Sequence, residues 1–289
     1  MTLSLKRKIL LSITILIVVS VVTVWSVGGL LSYPVNEKIG ESPADIPAQN
    51  VQFQSFSGAK IHGWFLQGKE NSGAIILMHG VRANRLAMLD RARFLNQKGF
   101  SVLLFDFQAH GESIGNNITF GFLESRDAQA AIAFVHSILP KEKIGVLGVS
   151  MGGAAFLLAK PNLQVNAVIL EMVYPTIEQA VSNRITSRLG NWSSMFTPLL
   201  TWQMKPRLGI DVKDLRPIEN VGSVNIPKLF IVGEKDEHTT LEESNALFAA
   251  ANDLKELWIV PNAKHTDFYP LVKEEYERKV STFFEKFLR

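Results

Sequence analysis

The chain is 289 residues long, 47% apolar and 20% charged, which is enough material for a packed core and excludes an intrinsically disordered chain. It contains no cysteine, which excludes disulfide frameworks, structural zinc ribbons, thiol catalysis and iron–sulfur clusters. Lys6, Arg7 and Lys8 account for the whole net charge of +3, so the remainder is balanced and no nucleic-acid partner is expected.

Residues 1–8 form a basic tail, and residues 9–31 follow without a charge or a proline; their only polar members are Ser12, Thr14, Ser20, Thr23 and Ser26. At ~1.5 Å per residue that run makes ~34 Å of helix, enough for a hydrocarbon core of ~30 Å. A cleaved signal peptide usually has an apolar run of ~7–15 residues and a small-x-small cleavage site, for which Val24-Trp25-Ser26 is a poor substitute, so an uncleaved signal-anchor is expected. The basic end belongs in the cytoplasm, because the other flank holds Lys38 against Glu37, Glu41 and Asp45. The expectation is a single pass through the cell membrane with everything after residue 31 on the extracytoplasmic side. Residues 32–50, with Pro34, Pro43 and Pro47, read as an extended linker.

From residue 51 onward, short apolar runs alternate with helical patterns. Stretches 51–56 and 60–67, joined by Ser57-Gly58-Ala59, read as an opening hairpin. Further strands are expected at 74–78, 101–105, 144–149, 167–172, 228–232 and 256–260, and helices at 84–97, 124–139, 151–159, 241–250 and 271–287. Repeated strand–helix units specify the α/β class, a mostly parallel sheet with helices on both faces. Ligands of such sheets sit at the carboxyl ends of the strands.

At one such end, Gly148-Val149-Ser150-Met151-Gly152 gives the nucleophile-elbow pattern between an apolar strand and a helix. Glycine is needed two residues to either side because a Cβ there would collide with the neighbouring strand and helix. The alternative, a glycine-rich phosphate loop, lacks both the G-x-G-x-x-G spacing and a following Gly-Lys-Ser/Thr.

A serine hydroxyl needs a general base. Of six histidines, His62 lies in an early strand, His136 in a helix, His79 and His110 before glycines in strand-end loops, and His238 too near the best acid candidate to be its partner. His265, in the polar loop between the last strand and the last helix, is the expected base. Asp236, just past the penultimate strand, is the expected orienting acid, with Glu171 at the end of the preceding strand as its rival. The backbone N–H groups of Met151 and Val81 are the expected oxyanion donors.

Leu77-Met78-His79-Gly80, the 106–113 loop, Gly148–Gly153 with its serine, Asp236 and His265 together resemble the α/β-hydrolase superfamily, in the small-lid bacterial branch that looks like monoglyceride lipases or serine aminopeptidases. The likeness covers residues 51–289. It implies an eight-stranded sheet with one antiparallel strand, a Ser–Asp–His triad, and hydrolysis of an ester, thioester or amide through an acyl-enzyme. Relatives commonly read Asp-x-Arg-Gly-His-Gly-x-Ser where this chain reads Asp106-Phe107-Gln108-Ala109-His110-Gly111-Glu112-Ser113, which puts the geometry of that loop in doubt. Asp106 and His110 are assigned to support.

Residues 175–216 separate two strands by far more than a usual connection of ~2–6 residues, and read as a lid. Its Trp192, Phe196, Leu199 and Trp202, set among arginines and lysines, suit a hydrophobic acyl substrate, a membrane surface, or simple packing over the site. The leading expectation is a membrane-anchored serine hydrolase acting on carboxylic esters of small or lipid-like molecules. A peptidase or amidase on the same triad, and a non-catalytic tethered binding module, are the alternatives. No metal or organic cofactor is expected, since the chain has no His-Glu-x-x-His, and protein partners are left open. Dehalogenases and epoxide hydrolases of this architecture carry a carboxylate where Ser150 stands.

Overall fold

The computed structural model describes residues 4–159 and 164–289; the first three residues of the basic tail lie outside the described residues. The chain begins with helix α1 (Leu5–Ser32), then runs through strands β1 (Val35–Asn36), β2 (Gln49–Gln54), β3 (Lys60–Leu66) and β4 (Ala74–Met78). Helix α2 (Leu89–Gln97), strands β5 (Ser101–Phe105) and β6 (His110–Gly111) and helix α3 (Glu124–Ile138) lead to β7 (Ile144–Val149), α4 (Met151–Leu158) and β8 (Ala167–Glu171). Four helices follow, α5 (Ile177–Leu189), α6 (Thr197–Trp202), α7 (Met204–Leu208) and α8 (Pro217–Asn220). The chain closes with β9 (Lys228–Gly233), α9 (Leu241–Ala250), β10 (Lys255–Val260) and α10 (Lys273–Leu288).

The main sheet has eight strands in the order β10-β9-β8-β7-β4-β5-β3-β2. Only β3 runs against its neighbours; the other pairings are parallel. Alternation along each strand feeds two cores. In β4, Ala74, Ile76 and Met78 face α3 and α4, while Ile75 and Leu77 face α2 and α10. Both faces are covered, which is why these strands read as continuous apolar runs. The chain leaves β4 toward β5 on one side and returns as β7 on the other, so the order reverses between β4 and β7. The crevice at their carboxyl ends is where this class of sheet binds ligands.

Two expectations need revision. The helix expected over 84–97 opens as a tight 3-10 turn, Arg85–Met88, because the Asn84 side chain caps it by accepting Leu86 N–H at 2.9 Å. Residues 32–50, expected as an extended spacer, lie along the domain instead. Val35 and Asn36 pair in parallel with His110 and Gly111, Glu112 accepts the N–H groups of Ile39 and Gly40, and Ile46 is buried. Prolines keep this stretch extended, and an extended chain presents its amides for pairing.

The 106–113 loop keeps a left-handed residue where relatives carry glycine: Ala109 has φ +62°. Gln108, where relatives carry arginine, donates from its backbone and its side chain to Asp127, at 2.9 Å each. Ser55 also donates to that carboxylate. With only neutral partners, burial pushes the Asp127 carboxyl from 3.8 up to about 7. Its protonated form therefore stabilises the fold fully below pH ~3.8, and that contribution is lost as pH rises through about 7. Asp127→Asn should gain stability relative to the natural chain as pH rises across that window, and the difference should level off above it. Paired denaturant titrations of the full chain in detergent at several pH values check this; a pH-independent difference contradicts it.

Candidate active site

Ser150 stands between β7 and α4 with φ +49° and ψ −113°, a left-handed conformation that a side-chain-bearing residue adopts only when its surroundings force it. A Cβ on Gly148 would sit 2.6 Å from Gly153 Cα, and one on Gly152 would strike the Met78 carbonyl at the end of β4. The elbow is thus wedged between two backbones. Ser150 N–H donates to the Glu171 carbonyl at 2.7 Å, fastening the turn to the end of β8.

The acid loop hangs from the next carbonyl along. Thr239 Oγ1 donates to the Met172 carbonyl at 3.4 Å, and Lys235 N–H donates to Ala263 at 2.9 Å, which draws the His265 loop alongside. Asp236 is buried, and its Oδ1 accepts the N–H groups of His238 and Thr239 at 2.7 and 2.9 Å. Its Oδ2 lies 2.7 Å from His265 Nδ1. A carboxylate only accepts, so His265 carries its proton on Nδ1 and leaves Nε2 as the basic nitrogen. His238 packs 5.1 Å from the His265 ring; burial and the nearby Arg184 lower its pKa.

The structure brings Asp236 and His265 into direct contact and suspends the Asp236 loop and Ser150 from consecutive carbonyls of one strand end, the His265 loop being bonded in turn to the Asp236 loop. Ser150 Oγ forms no hydrogen bond among the described residues, and a nucleophile–base contact is commonly loose until substrate is in place. Glu171, the rival acid, is held elsewhere. Its oxygens accept from Arg91 at 2.7 Å and from the Tyr276 hydroxyl at 2.6 Å, on the far face of the sheet, and Arg91 also reaches Asp267 at 2.8 Å. Burial pushes the Glu171 carboxyl up, against the pull of Arg91.

The loop after β4 approaches the nucleophile closely: a methyl group on Gly80 would touch Ser150 Cβ at 3.6 Å. Val81 and Met151 line the same cavity as Ser150, and among the described residues neither amide N–H has an acceptor. Met151 opens α4, so its N–H is one of the free donors of a helix start. His79 and His110 hold the surrounding loops. Burial takes the His79 pKa down to about 3, and its Nε2 accepts Phe107 N–H, while His110 Nε2 accepts Arg82 N–H, at 3.1 Å each. Asp106 accepts from Arg85 and from the Glu112 amide.

The cavity over Ser150 measures about 370 Å³ and is mainly apolar, with Ile177, Ile185, Leu200, Met204 and Leu208 from the 175–216 segment along one wall. Arg82, Arg184, Arg188 and Arg207 also line it, and among the described residues no Asp or Glu does. The guanidinium groups of Arg184 and Arg188 have no hydrogen-bond partner among the described residues; burial lowers the pKa of Arg184, with Asp236 pulling the other way. A second opening of about 430 Å³, beside His62 and Glu112, contains no candidate nucleophile. Among the described residues no cluster of three His, Asp or Glu side chains suits a metal ion.

The Arg91–Glu171–Tyr276 group was not legible in the sequence, since its members come from three distant elements. With Glu171 fully buried and Arg91 nearly so, Arg91→Met strands a buried carboxylate and should cost about 3–5 kcal/mol in denaturant unfolding. A loss below ~1 kcal/mol would mean that the pair is solvated.

A family described as serine aminopeptidase, S33, matches residues 69–215, just over half of the chain; Ser150 lies inside that span, Asp236 and His265 beyond it. The uncharacterized protein YfhR of Salmonella typhimurium is 28% identical over 282 residues, covering 93% of this chain and 92% of that protein. The uncharacterized protein YqkD of Bacillus subtilis is 24% identical over 234 residues, 79% and 76% of the two chains. Among solved structures, the Pyrococcus furiosus esterase Pf2001 superposes with a TM-score of 0.73 at 23% identity, covering 89% of this chain and 99% of that one, a likeness of fold.

Proposed function

The chain belongs to the family described as serine aminopeptidase, S33, within the α/β hydrolases, and from that premise we propose that it is a membrane-anchored serine hydrolase of carboxylic esters. The observation that carries this reading is the Asp236–His265 hydrogen bond, whose acid comes from a loop tethered to the strand end that also holds Ser150. Ser150 Oγ attacks the ester carbonyl as His265 Nε2 takes its proton. The oxyanion that develops meets the Val81 and Met151 amides, each such donor being worth roughly 10²–10³ in turnover. His265 returns the proton to the departing alcohol. Water, deprotonated by the same nitrogen, then releases the acid from Ser150. Asp236 remains ionised throughout, holding the tautomer and balancing the imidazolium.

Electrostatics favour an ester over an amino-terminal peptide. An aminopeptidase must seat an ammonium group, and this cavity offers four guanidiniums and, among the described residues, no carboxylate. The structurally similar Pyrococcus protein is named an esterase, which agrees. The segment 175–216 serves as the lid, its apolar side chains favouring hydrophobic acyl groups.

A fluorophosphonate probe should label the natural chain and fail on Ser150→Ala. Asp236→Asn should retain the fold and lose on the order of 10⁴ in kcat on a p-nitrophenyl ester. Labelling that is absent, or that survives Ser150→Ala, favours a non-catalytic module. Faster turnover of aminoacyl anilides than of esters moves the reading to a peptidase.

Helix α1 is long and apolar enough to cross a membrane, and its apolar stretch is unburied. It serves as the signal-anchor, with Lys6, Arg7 and Lys8 in the cytoplasm and the catalytic domain outside. Alkaline phosphatase fused after Arg289 should therefore be active, whereas activity only from a cytoplasmic reporter at that position reverses the orientation.

A further inference from the structure

Most of α1 is exposed, but towards its end Val24, Gly28 and Gly29 are half-buried and Ser32 is buried, and Val24, Val27, Gly28, Leu31 and Ser32 fall at i, i+3, i+4, i+7 and i+8, one face of a helix on which Val27 and Leu31 keep over a third of their surface open. That face is docked. Gln203, buried between α6 and α7, donates to the Val24 carbonyl at 3.1 Å. Arg207 donates to the Trp25 carbonyl and lies 4.2 Å over the Trp25 ring. From the other side, Arg82 donates to the Leu30 carbonyl at 3.2 Å, and the Ser32 carbonyl accepts Ile118 N–H at 2.8 Å. The approach is close because the helix is bare there: a Cβ on Gly28 would fall on the Gln203 amide, and one on Gly29 would sit 3.0 Å from the Arg207 guanidinium.

The cavity that holds Ser150 runs up to this docked face, where Val27, Gly28, Leu31 and Ser32 complete its wall. We propose that the last two turns of α1 are part of the substrate site: the far end of a long acyl chain bound at Ser150 rests against Val27, Gly28 and Leu31. This inference rests on the serine-hydrolase reading and names its substrate class, long-chain acyl esters.

Helix length places this wall at the membrane boundary. The uncharged, undocked stretch, residues 9–23, spans ~22 Å at ~1.5 Å per residue, less than the ~30 Å of a hydrocarbon core. The shortfall is met when the docked turns and their surroundings sink into the interface. Helix α6 packs on α1, and α6 with the turn before it carries Trp192, Met195, Leu199 and Trp202, all at least half exposed. Aromatic and apolar side chains in such numbers suit a headgroup–acyl boundary. The acyl site thus opens where long-chain esters reside.

Because the chain has no cysteine, a single introduced thiol is unambiguous. The full-length Leu31→Cys variant in bilayer nanodiscs is treated with an ethyl or a dodecyl p-nitrophenyl phosphonate, each forming an adduct at Ser150, and then with N-ethylmaleimide. The dodecyl adduct should abolish thiol labelling at position 31 while the ethyl adduct leaves it. A thiol introduced at the exposed Leu254, on the surface before β10, should react equally after either. Val27→Cys, one turn earlier on the same face, repeats the test, and Ser150 labelling by the ethyl phosphonate reports that each variant is folded. In parallel, Leu31→Trp should lower the ratio of dodecanoyl to butanoyl ester kcat/KM by about tenfold or more. Equal thiol labelling after both adducts, or an unchanged ratio, overturns this inference and leaves the hydrolase reading intact. Labelling of Ser150 by the ethyl phosphonate alone overturns only this inference, and failure of both phosphonates to label it overturns the hydrolase reading as well.

Discussion

A serine held at φ +49° is a conformation the free chain avoids, at a cost of about 1–2 kcal/mol, and the site is organised around keeping it there. Three attachments prevent relaxation. The Ser150 amide is bound to the Glu171 carbonyl, its own carbonyl accepts Ala154 N–H at 3.0 Å, and the glycines at 148 and 152 let backbone meet backbone without a gap in which the turn might unwind. The position of the hydroxyl is therefore a property of the sheet. Strand order sets it, because the reversal between β4 and β7 brings the Val81 amide and the elbow to the same crevice. A side chain on a mobile loop has no comparable constraint.

The end of β8 carries a division of labour between two acids. Glu171 and Asp236 both stand at strand ends beside the elbow, and each is buried. Their partners separate them. Glu171 faces the layer of α2 and α10, where Arg91 and Tyr276 occupy both oxygens and make it a structural ion pair. Asp236 has one oxygen fixed by two amides, so the other keeps a single direction in which to accept, and His265 lies along it. An acid with a cation already in place cannot orient an imidazole; an acid held by neutral donors can.

What the sequence disclosed follows the same logic. The elbow was legible because everything it requires, a strand, two glycines and a helix start, lies within ten consecutive residues. Asp236 and His265 were legible as polar residues just past strand ends, where the α/β architecture fixes their side of the sheet. The Arg91–Glu171 pair was hidden by its span of 80 residues, and no local pattern marks such a partner. Ala109 was hidden for a different reason: alanine does not advertise a positive φ, and the surrounding hydrogen bonds impose one. The 32–50 stretch misled because proline signals extension equally in a free spacer and in a segment laid along a domain. For α1 a signal was present, since adjacent glycines in an apolar helix mark where another backbone or polar side chain comes close. Composition alone said nothing of what approaches.

A helix that serves only as a tether needs length and apolarity, and its orientation about its own axis is free. Here the last turns of α1 are fixed in rotation by bonds from Gln203, Arg207 and Arg82, which come from elements on opposite sides of the cavity. Two of the four guanidiniums around the cavity thereby spend donors on carbonyls of the helix and its end, and an arginine so occupied also fills space with its stem. The last turns of the helix are consequently joined to the hydrolase domain by polar contacts as well as by apolar packing. Removal of residues 9–31 would expose the Gln203 amide and open the cavity along its whole α1 side.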